Sequence, residues 1–237
     1  MADAGTAGGR RGRSLLVPAI LTAIGLALIA GFVSLGVWQL HRRAWKLNLI
    51  ATVEARLHAA PVAAPPTAGP GDVYRRVTAR GTFRNDRETF VQAVTERGPG
   101  FWVLTPLVGP DFTVLVNRGF VPAERRAHHD RPAGPVRVTG LVRISEPGGA
   151  FLRSNDPKAD RWYSRDVAAI AAAKKLGPVA PYFIDADATP NPGGYPVGGL
   201  TVVAFRNSHL SYALTWFALA ILTVVGLVIL WRRGRDG

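Results

Sequence analysis

Two long runs of uncharged, mostly apolar residues constrain this chain more than any other feature of its sequence. The first extends from Leu15 to Leu40 and the second from Leu210 to Trp231, which makes them 26 and 22 residues long. A helix needs about 20 apolar residues to cross the roughly 30 Å hydrocarbon core of a bilayer. Each run meets that length, so the sequence predicts a two-pass membrane protein with a large segment between the spans.

The first run also has one property of a cleaved signal peptide, because it follows the basic residues Arg10, Arg11 and Arg13. A signal peptide has an apolar region of about 7–15 residues that ends in a small-residue cleavage site. This run is longer and continues into the sequence WQLHRRAWK. It is therefore predicted to be an uncleaved anchor.

Arginines flank the two runs on their outer sides, with three before the first run and three after the second. The positive-inside rule then places both termini in the cytoplasm. Arg42, Arg43 and Lys46 argue weakly for the opposite orientation, but long loops cross membranes largely regardless of their charge. The predicted domains are a cytoplasmic tail at 1–14, a first span at 15–40, a periplasmic or intermembrane-space domain at 41–209, a second span at 210–231 and a cytoplasmic tail at 232–237.

Cysteine content and charge limit the classes of function. The chain has no cysteine, which excludes disulfides, thiolate catalysis and cysteine-ligated metals. Its net charge of +13 suits anionic membrane lipids or an acidic partner. A GC-rich genome would produce the same excess, since 25 of the 29 basic residues are arginine. No nucleic-acid-binding motif accompanies the charge, so nucleic acid is not an expected partner.

Between the spans the hydrophobic pattern changes from helical to β-type. Apolar residues continue at helical spacing from Trp45 to Leu57, which predicts a helix that runs to about His58. A proline-rich linker follows at 60–72. Short segments bounded by Gly, Pro, Asn or Asp then predict the strands of a mostly antiparallel sheet or small barrel. These segments are 75–83, 89–94, 101–108, 112–121, 136–144, 181–186 and 200–205.

One helix interrupts the predicted strands at 164–178, with Ser164 as its N-cap candidate and Gly177 in its stop signal. The predicted fold class is therefore an α+β membrane protein, in which two transmembrane helices flank a β-rich extramembrane domain with one helix. We expect Trp162 and Tyr163, which precede that helix, to pack against the sheet.

Signatures of catalysis are missing from the chain. It has no P-loop, G-x-S-x-G, H-E-x-x-H or G-x-G-x-x-G motif, so no enzymatic activity is predicted. The adjacent His128 and His129 are interpreted as a solvated loop in preference to a metal site. Arg118, in the segment VNRGFVP, either grips the carboxylate of a ligand or pairs with an acid of its own domain, and the sequence favours the second interpretation.

The spans themselves suggest how they pack. Ala23, Ala27 and Gly31 recur every four residues, which is a small-xxx-small face that lets another helix approach closely, and Trp38 continues this face. In the second span one face is shared by His209, Tyr212, Ala213, Trp216 and Ala220. The prediction is that these two faces meet and leave a slot walled by Trp38, Tyr212 and Trp216.

His209 stands at the rim of this predicted slot and has two interpretations. In the first it belongs to an aromatic belt at the membrane surface. In the second it is a neutral imidazole that ligates haem iron. Arg42, Arg43 and Arg206 lie at the same depth, where they could pair with haem propionates. The residues alone leave both interpretations open.

Four parts of the chain, in order, resemble the surfeit locus protein 1 family of cytochrome c oxidase assembly factors. They are LGVWQLHRRAWKLNLI at 35–50, VNRGFVP at 116–122, SNDPKADRWYSRD with PYFIDAD at 154–166 and 181–187, and NSHLSYALTWFALA at 207–220. The resemblance covers the chain from about Gly36 to Leu230. It implies a protein of a bacterial plasma membrane or mitochondrial inner membrane that helps haem–copper oxidases to mature. The short arginine-containing lead before the first span favours the bacterial membrane.

The resemblance also implies that haem A is bound as cargo and delivered to oxidase subunit I. The family's ligand histidine falls on His209, which would bind the haem iron, and its associated tryptophan falls on Trp216. Nothing in the resemblance supports His41 as a second axial ligand. The predicted cofactor-binding residues are His209, Trp216, Tyr212, Trp38, Arg42 and Arg206.

Two classes of function remain open at the level of sequence. One is a haem A-binding chaperone, which performs no bond chemistry. The other is a scaffold that steadies subunit I or the haem A synthase without binding haem. Expected partners are membrane lipids, oxidase subunit I and the haem A synthase, and the sequence does not decide whether the chain forms a homo-oligomer.

Overall fold

A computed structural model describes residues 16–150, 153–203, 205 and 207–235 of the 237-residue chain. The chain divides into two compact units. The first unit consists of Met1–Ile50 and Phe205–Gly237, and the second of Ala51–Ala204. The predicted N-terminal tail, Leu15 and Arg206 lie outside the described residues.

Two long helices dominate the first unit. Helix α1 is Leu16–His58, so its predicted end near His58 is confirmed, and helix α3 is His209–Arg235. Both are long and apolar enough to cross a membrane, and only 6% and 11% of their most apolar windows are buried. A helix in the core of a soluble protein would bury most of that surface, whereas lipid-facing side chains remain outside the protein. The exposed apolar surface therefore fits a membrane environment.

Helices α1 and α3 pack antiparallel along a seven-residue repeat, which we call the seam. Most buried or half-buried positions of each helix are spaced alternately by three and four residues, as in a coiled coil; on α3, Phe217 and Leu219 are half-buried outside this repeat. On α1 the seam positions are Thr22, Gly25, Ile29, Phe32, Gly36, Gln39 and Arg43, and on α3 they are His209, Ala213, Trp216, Ala220, Thr223, Leu227 and Leu230.

Glycine on α1 makes room for large side chains on α3. A Cβ atom at Gly36 would lie 2.5 Å from Cε1 of Phe217, and one at Gly25 would lie 2.8 Å from Cδ1 of Leu227. On α3 the small residues Ala213 and Ala220 are buried, as predicted. Each helix therefore presents small residues where the other approaches.

The predicted face of α1 was wrong. Ala23, Ala27 and Gly31 are exposed, and a Cβ atom at Gly31 would meet nothing within 4 Å. At about 100° per residue these three positions lie roughly opposite the seam. A spacing of four shows that residues share one side of a helix, but it does not show that this side meets the partner.

The second unit contains a closed β-barrel. Its strands are β2 (Arg76–Phe83), β4 (Gly98–Val108), β5 (Thr113–Pro122), β6 (Pro135–Ile144) and β7 (Val179–Ala186). They pair in the order β2-β6-β7-β5-β4, and β4 pairs again with β2 to close the circle. The β5–β7 pair is parallel and the other four pairs are antiparallel. These orders and directions are those of the OB-fold barrel.

Two short strands extend the sheet beyond the barrel. Strand β3 (Thr89–Thr95) pairs with β4 as a hairpin, and β1 (Val62–Ala63) lies parallel to β2 within the predicted linker. The linker is ordered against the barrel, because the carbonyl of Pro65 accepts a 2.6 Å hydrogen bond from the Tyr182 hydroxyl. Burial raises the pKa of Tyr182 to about 12, so this donor stays protonated well into the alkaline range.

Hydrophobic residues form one core inside the barrel and a second core outside it. Successive side chains of a strand point to opposite faces, so β7 directs Tyr182 and Ile184 inward and Phe183 outward. Helix α2 (Val167–Lys174) covers the outer face through Ile170, together with the fully buried Trp162. OB-folds that bind oligonucleotides use the corresponding face, which this chain fills with its own side chains.

Two local predictions were wrong. Residues 200–203 and 205, which belong to a predicted strand, form no strand. Val202 is 76% exposed, so the alternating apolar pattern of this segment does not mark a buried face. The N-cap of α2 is Asp166, whose carboxylate accepts from the amide of Ala169, and Ser164 instead bonds Gly149 and Asn155. The remaining six predicted strands are present.

The seam predicts different outcomes for two glycines of α1. Gly36→Leu should force α1 and α3 apart, because overpacking costs about 1–3 kcal/mol, whereas Gly31→Leu should leave the pair intact. Since the chain has no cysteine, a cysteine pair placed at 25 and 227 reports the contact by its crosslinking yield in membranes. An equal loss of crosslinking in both variants would contradict this seam.

Candidate functional site

His209 is the first residue of α3 and is half-buried in the seam. Its Nδ1 lies 2.8 Å from Oε1 of Gln39 on α1, although the two residues are 170 positions apart in sequence. An amide oxygen can only accept a hydrogen bond, so Nδ1 carries the proton and donates it. In the neutral imidazole the lone pair is then on Nε2, which makes no hydrogen bond with any described residue.

Aromatic rings line the seam one level deeper. Trp216 follows His209 by seven residues, which is about 10.5 Å along the helix axis. Its ring stacks on Phe32 of α1, with 5.8 Å between the centroids and 25° between the planes. Sequence analysis identified Trp216 but missed Phe32, because an aromatic residue in an apolar run gives no signal of its own.

Two other predicted aromatic residues do not join this arrangement. Trp38 and Tyr212 are each 56% exposed and lie outside the seam. The structure therefore brings His209 and Trp216 to one face but does not form the slot of Trp38, Tyr212 and Trp216. An exposed indole and phenol are what an aromatic belt at a membrane surface would present.

The arginines near His209 differ from one another in their surroundings. Arg42 is exposed, and its guanidinium carbon lies 4.0 Å from the ring centroid of Trp45. Arg43 is half-buried at a seam position. His41 is exposed on the same turn.

Arg118 serves the fold of the barrel domain, which confirms the structural interpretation. It is 3% exposed, donates to the carbonyl of Asp130 at 2.8 Å and lies 3.3 and 3.5 Å from the carboxylates of Asp130 and Glu88. Burial lowers the pKa of Arg118, while the two carboxylates oppose that effect. Such a guanidinium is already committed to partners within its own domain.

The histidine pair was only half correctly interpreted. His128 is exposed, but the ring of His129 is buried, with Nε2 3.2 Å from Glu88 and Nδ1 3.0 Å from the carbonyl of Arg126. Among the described residues, no group of three His, Cys, Asp or Glu side chains could hold a metal ion. His129 is thus part of the ion cluster around Glu88.

A second buried cluster brings together the segments that carry the family resemblance. Asp185 is 3% exposed and accepts from Asn117 at 2.8 Å and from Arg165 and Arg143 at 3.2 Å each. Thr201 adds a fourth hydrogen bond at 2.9 Å. Asn117 comes from VNRGFVP, Arg165 from SNDPKADRWYSRD and Asp185 from PYFIDAD. These segments therefore meet in one network that joins three strands and the loop before α2.

Comparison with known proteins places the chain in a family. A family model described as "SURF1 family" matches residues 26–221. The chain is 40% identical to a SURF1-like protein of Monosiga brevicollis, over 84% of this chain and 83% of that protein. It is 37% identical to surfeit locus protein 1 of Mus musculus and 36% identical to that of Homo sapiens, over 88% of this chain and 71% and 73% of theirs. The chain belongs to the SURF1 family, as the resemblance predicted.

The Asp185 network predicts a large loss of stability when its carboxylate is removed. Asp185→Ala should lower the free energy of unfolding by about 2–3 kcal/mol, because it leaves the buried amide of Asn117 without its acceptor. Arg143 and Arg165, which are half-buried, would keep only Glu146 as a counterion. Denaturant unfolding of the detergent-solubilised protein measures the change. Asp111→Ala, at an exposed carboxylate, is the matched control and should change stability by less than about 0.5 kcal/mol.

Proposed function

We propose that this protein is a membrane-anchored assembly factor for a haem–copper cytochrome c oxidase. In this proposal it holds haem A as cargo, with His209 as a ligand of the iron, and aids delivery of the haem to subunit I. The observation that carries the proposal is the state of the His209 imidazole. One ring nitrogen is fixed by Gln39, and the other is left with its lone pair at the head of an apolar helix pair.

That arrangement has the chemistry of a metal-binding histidine. Histidines that ligate metals donate their second ring N–H to a carbonyl, carboxylate or water, which fixes the tautomer and the ring orientation. A side-chain amide oxygen provides the same acceptor here. Next to it, the stacked rings of Trp216 and Phe32 offer an apolar surface suited to a porphyrin or to its hydrophobic tail.

A carrier must also release its cargo. His209 lies at the first residue of a span, so its polar edge can remain hydrated before haem binds, and the free protein avoids the cost of a buried unsatisfied group. Held by one histidine, the haem can exchange that ligand for one on subunit I. The chain's role is then binding and transfer, without bond chemistry of its own.

The proposed setting is a bacterial inner membrane, with both termini in the cytoplasm and the barrel domain in the periplasm. The two apolar helices and the basic residues that flank them support this arrangement. Subunit I, the haem A synthase and membrane lipids are the proposed partners.

A scaffold that does not bind haem is the second candidate. The same hydrogen bond between His209 and Gln39 would staple the two spans together, and that purely structural role favours this candidate. A scaffold would act through helix packing and the barrel domain alone. The two candidates differ in whether the purified protein carries haem.

Substitution of His209 separates the two candidates. His209→Ala should abolish or shift the visible spectrum of haem A in protein purified from cells that synthesise haem A, while membrane levels of the protein stay normal. Trp216→Phe should weaken binding less, because an aromatic surface remains. His41→Ala, at an exposed histidine of the facing helix, should leave the spectrum unchanged. Retention of haem A by His209→Ala with unaltered stoichiometry would leave the scaffold as the better account.

Orientation in the membrane can be tested independently. An alkaline phosphatase fusion after Pro122 should be active, because the enzyme folds only outside the cytoplasm, and a fusion at the C-terminus should be inactive. The reverse pattern of activities would contradict the proposed topology.

A further inference from the structure

Arg43 lies on the face of α1 that forms the seam, whereas its neighbour Arg42 does not. Phe32, Gly36, Gln39 and Arg43 fall within an arc of about 60° at 100° per residue, and Arg43 follows Gln39 by one turn, or about 6 Å. Arg42 points about 100° away and stacks on Trp45. The two arginines carry the same charge but only Arg43 shares the face of the residue that bonds His209.

Arg43 also differs from the other buried and half-buried arginines in having no partner among the described residues. Of the described arginines that are buried or half-buried, Arg43 alone makes no hydrogen bond or ion pair with a described residue. Each of the others bonds a carboxylate or a backbone carbonyl; they are Arg56, Arg76, Arg87, Arg118, Arg143 and Arg165. Partial burial of a cation without a counterion costs free energy, so this position is suited to an anion that the described residues do not supply.

We propose that Gln39 and Arg43 complete the haem site. Gln39 is a positioning residue that presents Nε2 of His209 to the iron, and Arg43 binds a propionate carboxylate of the porphyrin. A guanidinium forms bidentate hydrogen bonds with a carboxylate, which gives geometric specificity as well as attraction. This inference rests on the proposed function and deepens it.

The inference makes the site a product of both spans. His209 comes from α3, while Gln39 and Arg43 come from α1, so the three groups converge only when the seam is formed. Trp216 and Phe32 stack on each other in the same seam, so their contact also depends on the packing of the two spans. A span that lost its partner would retain its histidine but lose the group that orients it and the proposed cation for the propionate.

Esterified haem tests the role of Arg43 directly. Purified full-length protein would be titrated with haem A and with haem A dimethyl ester, in which both propionates are neutral. The wild type should bind the free acid at least about tenfold more tightly, the range expected of a charged hydrogen bond. Arg43→Gln should remove that preference and leave ester binding unchanged. Arg42 was itself predicted from the sequence to bind the cofactor, but it is exposed and stacks on Trp45. Arg42→Gln is therefore the matched control and should retain the wild-type preference.

The role of Gln39 is tested by the midpoint potential of the bound haem, a property that a purely structural contact would not change. Gln39→Leu removes the acceptor at Nδ1, makes the imidazole a weaker electron donor and should raise the midpoint potential of the bound haem. Gln39→Glu places a carboxylate at Nδ1, increases the basicity of the ligand and should lower the potential. Opposite shifts of the two variants support positioning. Crosslinking of a cysteine pair at 25 and 227 shows in each variant that the seam is intact.

The outcomes distinguish this inference from the proposed function. If the wild type binds no haem A, or if His209→Ala binds it normally, the proposed function fails. If His209→Ala abolishes binding but Arg43→Gln keeps the preference for the free acid, the role of Arg43 is overturned. Loss of the preference for the free acid in Arg42→Gln, with Arg43→Gln unchanged, would also overturn the role of Arg43. Equal midpoint potentials of the bound haem in Gln39→Leu and Gln39→Glu would overturn the role of Gln39.

Discussion

The packing of α1 against α3 is the interaction on which the candidate site depends. Lipid tails are as apolar as the side chains of the two helices, so the hydrophobic effect does not draw the helices together within a bilayer. Close contact at Gly25 and Gly36 provides dispersion instead, and two side-chain hydrogen bonds fix the register: His209 to Gln39 and Trp231 to Thr22. Gln39 and Thr22 are about 26 Å apart along α1, close to the roughly 30 Å of bilayer hydrocarbon. Each hydrogen bond therefore lies near one surface of the predicted membrane.

The barrel domain uses its arginines differently, because several of them pair with two buried carboxylates. Asp185 and Glu88 each accept hydrogen bonds or ion pairs from several cationic or polar donors, among which Arg118 is buried and Arg143 and Arg165 are half-buried. The segments of the chain that look most like a functional motif are occupied there in holding strands together. A domain of this kind offers a rigid surface more than a reactive centre. At the head of the second span, in contrast, Nε2 of His209 makes no hydrogen bond with any described residue, and this is where the proposed ligand would bind.

Site and scaffold are linked through a single hydrogen bond. The amide of Gln39 both ties the outer ends of the spans and selects the tautomer of His209. Any change that separates the helices would therefore disturb the orientation of the His209 imidazole, and any group bound to Nε2 would affect the contact across the seam. For a carrier this coupling has a physical use, since a partner that alters the packing of the spans would alter the affinity for the cargo.

The amino-acid sequence alone was enough to locate most of the helices and strands. It predicted two spans, the helix that ends at His58, six strands, the short helix α2 and the position of His209, because these follow from hydrophobic period, turn residues and caps. It did not determine which face of α1 meets α3. Inside a membrane both the lipid-facing and the helix-facing sides are apolar, so hydrophobic pattern does not mark the buried side. The fit to Leu227 and Phe217 on α3 places Gly25 and Gly36 at the helix contact, and Ala23 and Gly31 lie outside it. Gln39, Phe32 and Arg43 acquired their places in the same way, because only the packed pair brings residues so distant in sequence into contact.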